Sequence, residues 1–301
     1  MFAHLLVPLD GSALAETALP AAVALARRLS ARISVLHVVE PHAAPTVHGD
    51  RHLTRAQDAE AYLDQIVEQL AAQHVQARAI VRYGSADVAW EIAATAAAVS
   101  ADLTVLCTHG RGGVRGAIFG SVAQQVLQQG RTPVLLTKPS ERRDFQCRRV
   151  LVPLDGSETS ETALPAATAV AAACAAEIVL VSVVPTPETA PPDLAATRLM
   201  PSAAAEVLDL EAAQMREYLQ AFAERLAATG VTVSGAVERG DAVRTILQAV
   251  QAYSADLIVM ATHGRSGLAG AWAGSVASRI IGHAAVPILL VRIPGSPDIR
   301  S

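Results

Sequence analysis

The first half of the chain alternates short, unbroken apolar runs with longer Ala-rich stretches of helical periodicity. The apolar runs fall at about 4–9, 32–39, 75–82, 102–108 and 133–138, and the helical stretches at about 13–29, 55–73, 85–99 and 121–130. Apolar runs without polar alternation are what a strand covered on both faces looks like. Five such strands joined by helical crossovers predict a parallel, doubly wound sheet, because right-handed βαβ units place helices on both faces. The second half repeats the pattern, with strands expected at about 149–154, 177–184, 231–238, 256–262 and 287–292.

The repetition extends to the letters. His4-Leu-Leu-Val-Pro-Leu-Asp-Gly-Ser12 returns as Arg149-Val-Leu-Val-Pro-Leu-Asp-Gly-Ser157, and Glu16-Thr-Ala-Leu-Pro-Ala-Ala22 as Glu161 to Ala167. Ser100-Ala-Asp102 returns as Ser254-Ala-Asp256, Thr108-His-Gly-Arg111 as Thr262-His-Gly-Arg265, and Gly120-Ser-Val-Ala123 as Gly274-Ser-Val-Ala277. The offset grows from 145 to 154 residues, so the halves differ by a few insertions, mostly after the second strand. The fold class is therefore α/β, as two tandem doubly wound five-stranded parallel sheets, with the polar stretch Pro139 to Arg148 as linker. At 301 residues, each half is large enough to bury its own core.

Composition narrows the function classes. Hydrophobic residues make up 51% of the chain, but the excess is Ala and Val, which suits helices packed on a buried sheet. A net charge of −4 and the lack of basic runs with interleaved aromatics argue against nucleic acid as a partner. Cys107, Cys147 and Cys174 show no CxxC spacing and read as reduced thiols of a cytoplasmic protein. The N-terminus opens directly into a strand-like run, with no charged leader or cleavage site. Leu164 to Val184 is long and apolar apart from Glu177, yet it is dominated by Ala and its counterpart carries Arg27, Arg28 and Arg32, so a helix followed by a buried strand is expected rather than a membrane span.

In an open parallel sheet, a ligand sits beyond the carboxyl ends of the strands where the winding reverses. Asp10-Gly-Ser12 and Asp155-Gly-Ser157 follow the first strand of each half. A carboxylate there can accept a hydrogen bond from a ribose hydroxyl or an exocyclic amine. Equally, the Asp can start the turn while Ser12 and Ser157 cap the next helix. After the fourth strand, Gly110, Gly113, Gly116 and Gly120 have counterparts in Gly264, Gly267, Gly270 and Gly274. Such glycines let backbone N–H groups approach an anion, and the last one opens a helix whose dipole favours phosphate. Ser121 and Ser275 add a hydroxyl at the helix start, while Arg111 and Arg265 can reach outer phosphates. Neither GxxxxGK[ST] nor a GxGxxG after the first strand occurs, which removes the P-loop and dinucleotide readings.

His109 and His263 lack partners at ligand spacing and read as loop histidines rather than catalytic groups. His42, His48, Asp50 and His52 lie in the stretch Pro41 to Asp58, which reads as a solvated surface insertion and not as a metal site. No catalytic residue and no metal site are assigned.

Together, Val-Pro-Leu-Asp-Gly-Ser, the Ala-Asp before the fourth strand, Gly-x9-Gly-Ser after it and the closing Val-Pro-Val-Leu-Leu and Val-Pro-Ile-Leu-Leu resemble the universal stress protein family, once per half. The resemblance implies a tandem member with domains at 1–140 and 148–295, Rossmann-like and similar to the adenine nucleotide α-hydrolases. The nucleotide-binding branch carries Gly-x2-Gly-x9-Gly-Ser/Thr, which Gly110 with Gly120-Ser121 and Gly264 with Gly274-Ser275 match. Cys107 and Ala261 stand in place of its first glycine.

By resemblance, Asp10 and Asp155 meet the nucleoside and Val38 and Val183 contact the base. Gly110, Arg111, Gly113, Gly120, Ser121 and Val122 surround the phosphates in one half, and Gly264, Arg265, Gly267, Gly274, Ser275 and Val276 in the other. The resemblance thus implies a regulatory stress-response protein that binds ATP, with or without magnesium, in at least one half and with little or no turnover. Slow ATP hydrolysis through His109 and Arg111, or an interaction module with empty sites, are the alternatives. Family members pair their last strands as dimers, so an internal pseudo-dimer bringing 133–138 against 287–292 is implied, with a further homodimer open.

Overall fold

The computed structural model describes residues 1–40, 44, 46–83, 87–108, 121–139, 145–189, 201–262 and 275–293. Two compact units emerge. The first takes the described residues of 1–146 together with 287–293, and the second those of 147–262 and 275–286.

In the first unit, strands β1 (His4–Pro8), β2 (Arg32–Val39), β5 (Ala77–Tyr83), β6 (Leu103–Cys107) and β7 (Val134–Thr137) form a parallel sheet, while β3 (Thr46–Val47) and β4 (Asp50–Arg51) make a separate small hairpin. The spatial order is β7-β6-β1-β2-β5. The chain thus winds outward from β1 through β2 to β5, then returns to add β6 and β7 on the other side. Register is set by pairs such as Val7↔Val35 and Val35↔Ala79. Leu5, Leu6 and Val7 are fully buried, as an interior strand with helices on both faces requires. The second unit repeats the winding with β8 (Arg149–Pro153), β9 (Glu177–Val184), β10 (Val233–Arg239) and β11 (Leu257–Thr262) in the order β10-β9-β8-β11.

The final strand, β12 (Ile288–Arg292), lies in the first unit and pairs antiparallel with β7 through Ile288↔Leu136 and Leu290↔Val134. The Arg292 guanidinium donates to the Gly130 carbonyl and fastens that strand's end. This is the pairing of 133–138 with 287–292 that the resemblance implied.

The helix expected over 13–29 is interrupted. Helix α1 (Ala13–Glu16) stops at Thr17, and α2 (Leu19–Leu29) starts afresh. Pro20 explains the break: it has no N–H to donate and its ring crowds the preceding turn, so it is tolerated only at a helix start. Thr17 closes α1 by donating its hydroxyl to the Leu14 carbonyl at 2.6 Å. Pro165 repeats the device between α6 (Glu158–Glu161) and α7 (Leu164–Cys174). In the first unit α3 (Ala56–Ala72), α4 (Val88–Ala98) and α5 (Ser121–Gln129) complete the layers; in the second, α8 (Pro201–Ala227), α9 (Ala242–Ala252) and α10 (Val276–His283) do so. Among the described residues, no helix is long and apolar enough to cross a membrane.

Some repeated letters turn out to hold the scaffold. The Asp102 carboxylate accepts from the backbone N–H groups of Ala3 (2.8 Å) and His4 (3.0 Å) at the start of β1. Asp256 does the same for Arg148 (2.7 Å) and Arg149 (3.1 Å) at β8. These amides lie just before the ladder begins and need another acceptor. Beneath them, His4 is buried, with Nδ1 facing the Val99 carbonyl at 3.0 Å and Nε2 at 2.8 Å from the Ser34 hydroxyl, which itself accepts from Arg78 Nε. An Nδ1–H tautomer satisfies both contacts, with Ser34 donating to Nε2. Burial, reinforced by the nearby Arg32 and Arg78 charges, holds the His4 ring below its ordinary pKa despite the pull of Val99 and Asp102.

Two outcomes follow. Asp102→Ala and Asp256→Ala each strand two amides and are expected to lower the unfolding free energy by about 1–3 kcal/mol, measured by urea titration; a change within error would remove the clamp from the account. His4 binds its proton less readily folded than unfolded, so its contribution to stability is complete above its ordinary pKa of 6.5 and declines as pH falls from there through the lower folded value. Unfolding titrations at stepped pH should therefore show a smaller acid loss in His4→Gln than in the unsubstituted chain.

Candidate functional site

Reversal of winding at β1 leaves the carboxyl ends of β1 and β6 splayed, and a cavity of about 300 Å³ opens there in the first unit. Beyond Pro8, Leu9 donates to the Leu36 carbonyl at 2.8 Å, after which the chain turns sharply at Asp10-Gly11-Ser12. Gly11 sits at φ +86°, and a Cβ on it would meet the Leu53 side chain at 2.8 Å, so both conformation and space call for glycine. Asp10 Oδ1 accepts from the Ser12 amide (2.9 Å) and hydroxyl (2.6 Å), and Ser12 Oγ accepts from Ala15 N at 3.1 Å. The turn-and-cap role open to this motif is therefore realised, and it leaves Oδ2 of Asp10 facing the cavity rim.

The second unit builds the same turn. Gly156 stands at φ +81°, Asp155 Oδ1 accepts from Ser157 N (3.0 Å) and Oγ (2.5 Å), and Ser157 caps α6 through Ser160 N. Partial burial works to raise the Asp155 carboxyl, but the hydrogen bonds from Ser157 and Ser160 outweigh it and hold the carboxyl below its usual value. A further repeated contact pins each turn from behind: Tyr62 donates to Glu16, and Tyr218 to Glu161, both at 3.0 Å. Burial and the adjacent carboxylate push both phenols upward, so they remain donors.

Of the residues expected to bind ligand in the first half, Asp10, Val38 and Val122 line the one cavity. Val38 comes from β2 and Val122 from the first turn of α5, so three separate elements converge. Ser121 opens α5 at its first position. In the second half, Asp155 follows β8 and Val183 lies near the end of β9. Ser275 caps α10 by accepting from Ser278 N at 3.2 Å, and Val276 is exposed just after it. Gly110, Arg111, Gly113 and Gly120, their counterparts Gly264, Arg265, Gly267 and Gly274, and His109 and His263 lie outside the described residues.

Cys107, in place of the family's first glycine, also lines the cavity. Its Sγ lies 2.8 Å from the Thr17 hydroxyl, whose proton the Leu14 carbonyl takes, and 3.3 Å from the Thr108 carbonyl. Burial raises the thiol, against the lowering bonds from Thr17 and Thr137 and with help from the Asp10 charge, so it stays neutral and a poor nucleophile.

Sequence reading missed one wall of this cavity. The insertion read as solvated surface instead folds back, and Val47, His48 and His52 line the site beside His37 and Glu40. A signal was present: His48 and Gly49, at φ +51° and +91°, form the two-residue turn of the β3–β4 hairpin, a conformation that glycine favours. Asp50 reaches the first turn of α1, its Oδ2 accepting from Ala13 N at 2.8 Å. Among the described residues, no three His, Cys, Asp or Glu side chains are arranged to hold a metal ion. A mostly apolar cavity with two carboxylates in its lining, Asp10 and Glu40, is suited to a flat heterocycle bearing hydroxyl or amine donors.

The chain matches the model of the universal stress protein family twice, over residues 1–138 and 146–292. A universal stress protein of Mycobacterium tuberculosis is 31% identical over 199 residues, which span 64% of this chain and 62% of that protein. The chain thus covers less than two thirds of that relative, whereas one from Mycolicibacterium smegmatis is 27% identical over 96% of both chains. The crystal structure of a universal stress protein from Archaeoglobus fulgidus, 20% identical, superposes with a TM-score of 0.73 over 96% of this chain and 98% of its own, a likeness of fold. With the repeated winding, the Asp-Gly-Ser turn and both family matches in place, the chain belongs to the universal stress protein family.

Proposed function

We propose that this protein is a regulatory, stress-response binder of an adenine nucleotide, ATP foremost, in the cytoplasm, and that the first unit's cavity receives the nucleoside. One observation carries the reading: Asp10, Val38 and Val122, drawn from three elements, share a cavity of about 300 Å³ where the winding reverses. In it, Asp10 accepts from a ribose hydroxyl or the exocyclic amine, Val38 and Val122 sandwich the base, and the loop with Gly110, Arg111, Gly113, Gly120 and Ser121 takes the phosphates. Asp155, Val183, Gly264, Arg265, Gly267, Gly274, Ser275 and Val276 form the corresponding set in the second half.

Binding rather than turnover is favoured because the reactive groups near the cavity are committed elsewhere. Asp10 Oδ1 already accepts twice from Ser12, the Cys107 thiol is neutral, and both ring nitrogens of His37 face main-chain carbonyls. The Asp10 oxygen that remains, Oδ2, is the one this reading gives to the nucleoside, so it does not orient an attacking water.

Calorimetric titration of the full chain with ATP, ADP and AMP tests this. Asp10→Ala is expected to weaken binding about 10- to 100-fold, the loss of a charge-assisted hydrogen bond. Val122→Trp, which fills the cavity without touching the Asp10 turn, should weaken it as much. No affinity for any of the three nucleotides in the unsubstituted chain would overturn the reading, and phosphate release above the buffer rate would replace binding with hydrolysis.

A further inference from the structure

The β3–β4 hairpin is fastened over the first-unit cavity at several points, and imidazoles supply most of the fastenings. His48 Nε2, at the hairpin tip, lies 3.6 Å from Asp10 Oδ2, the carboxylate oxygen left over by the Ser12 turn. Asp50, two residues on, ties the hairpin to Ala13 at the start of α1. His52, just beyond β4, has Nδ1 at 3.1 Å from the Ala44 carbonyl and Nε2 at 3.7 Å from Glu40 Oε1. His37 sits below, buried, with Nδ1 at 2.8 Å from the Leu9 carbonyl and Nε2 at 2.9 Å from the Leu53 carbonyl, so it joins the residue before Asp10 to the strand's exit.

For His37 and His52, each ring nitrogen faces an oxygen that can only accept. A neutral imidazole has one N–H, so it serves one of two acceptors and turns a lone pair on the other; an imidazolium serves both. His48 faces a carboxylate, and its attraction likewise grows with protonation. We propose that the β3–β4 hairpin is a proton-operated strap on the first-unit cavity, fastened when His37, His48 and His52 are protonated and loosened when they are neutral.

The other ionisable groups around it are consistent with this sense. Asp10 brings negative charge to His48 and Glu40 to His52, Cys107 is neutral, and the Tyr62–Glu16 pair lies behind the Asp10 turn. The opposing influences are the burial of His37 and His52, since a charge away from water is costly, and the approach of the two rings, whose centres are 6.4 Å apart. Among the described side chains, α4 supplies Val88 and Ile92 to the cavity and α5 supplies Val122 and Ala123, all apolar.

The consequence for ligand rests on the nucleoside reading above: a ribose or amine that takes Oδ2 of Asp10 must displace His48. Since the fastened state holds more protons, acid favours it, and ligand entry weakens as pH falls. Imidazoles are the side chains suited to this near neutrality.

Hydrogen exchange of the full chain, without ligand, at pH 8.0 and 5.5 and corrected for intrinsic rates, tests the strap on its own. Protection of amides in 46–53 is expected to rise about three- to tenfold at the lower pH, the range for a few weak ion pairs, while the β2 amides stay unchanged. His48→Gln/His52→Gln should shrink that difference with β2 protection intact. Equal hairpin protection at both pH values, or the full difference persisting in the double variant, overturns the strap. Adenosine, which has no phosphate for an imidazolium to attract, is then titrated at both pH values. Weaker binding at pH 5.5 supports control of the cavity, and equal binding overturns it. Failure of adenosine and ATP to bind at either pH defeats the nucleotide reading and the strap's control of a ligand, while the exchange result still decides the strap itself.

Discussion

Parallel pairing is the constraint from which the site descends. Parallel strands cannot be joined by tight hairpins, so each must be reached by a crossover, and a chain that starts at the middle strand must reverse its winding once. That reversal separates the chain leaving β1 from the chain leaving β6 and opens a gap at their carboxyl ends. Asp10 and Cys107 stand on its two sides because each directly follows or ends one of those strands. The carboxylate need only be held still, and the Ser12 amide and hydroxyl do that.

The two halves keep the constraint and diverge in what they lay around it. The start-of-strand clamps of Asp102 and Asp256, the Pro20 and Pro165 breaks, and the Tyr62–Glu16 and Tyr218–Glu161 bonds are shared. At the cavity wall, by the 145-residue offset of the first strands, His37 answers to Ser182 and Glu40 to Pro185. In the second half the helix that answers to α3 is the longer α8, whose Leu208 and Ala212 pack on Val184 with Met215 beside them. The imidazole cluster is therefore a property of one half. The insertions that the growing offset counts have changed the surroundings of the turn without changing the turn.

Much of this was legible in the letters because it is dictated by local rules. Unbroken apolar runs such as Leu5-Leu6-Val7 can only be interior strands, and the Asp-Gly-Ser motif has few conformations open to it, so strands and turn were read to within a residue or two. Pro20 was also legible, yet the Ala-rich periodicity on both sides masked the break. The hairpin was not read because its value lies in contacts distant in sequence: Asp50 to Ala13, His48 to Asp10, His52 to Glu40. A polar, histidine-bearing insertion looks the same in sequence whether it faces water or folds back over a cleft, and only the geometry of acceptors around its rings separates the two.

The strengths of these contacts also determine what kind of control they can exert. The sheet rests on buried apolar side chains, each worth about 1.5–3 kcal/mol, whereas each imidazole–carboxylate contact of the hairpin, long and with its carboxylate partly exposed, is worth at most about 1 kcal/mol. The hairpin can therefore detach while the sheet beneath it stays whole, as a low-energy local opening. A ligand of micromolar affinity brings about 8 kcal/mol, so it can lift the strap at any pH at a modest cost in affinity. The cleft is thus tuned by protons rather than shut by them. That grading follows from hanging the hairpin on imidazole contacts at its turn and its exit, while its two short strands have no apolar core of their own.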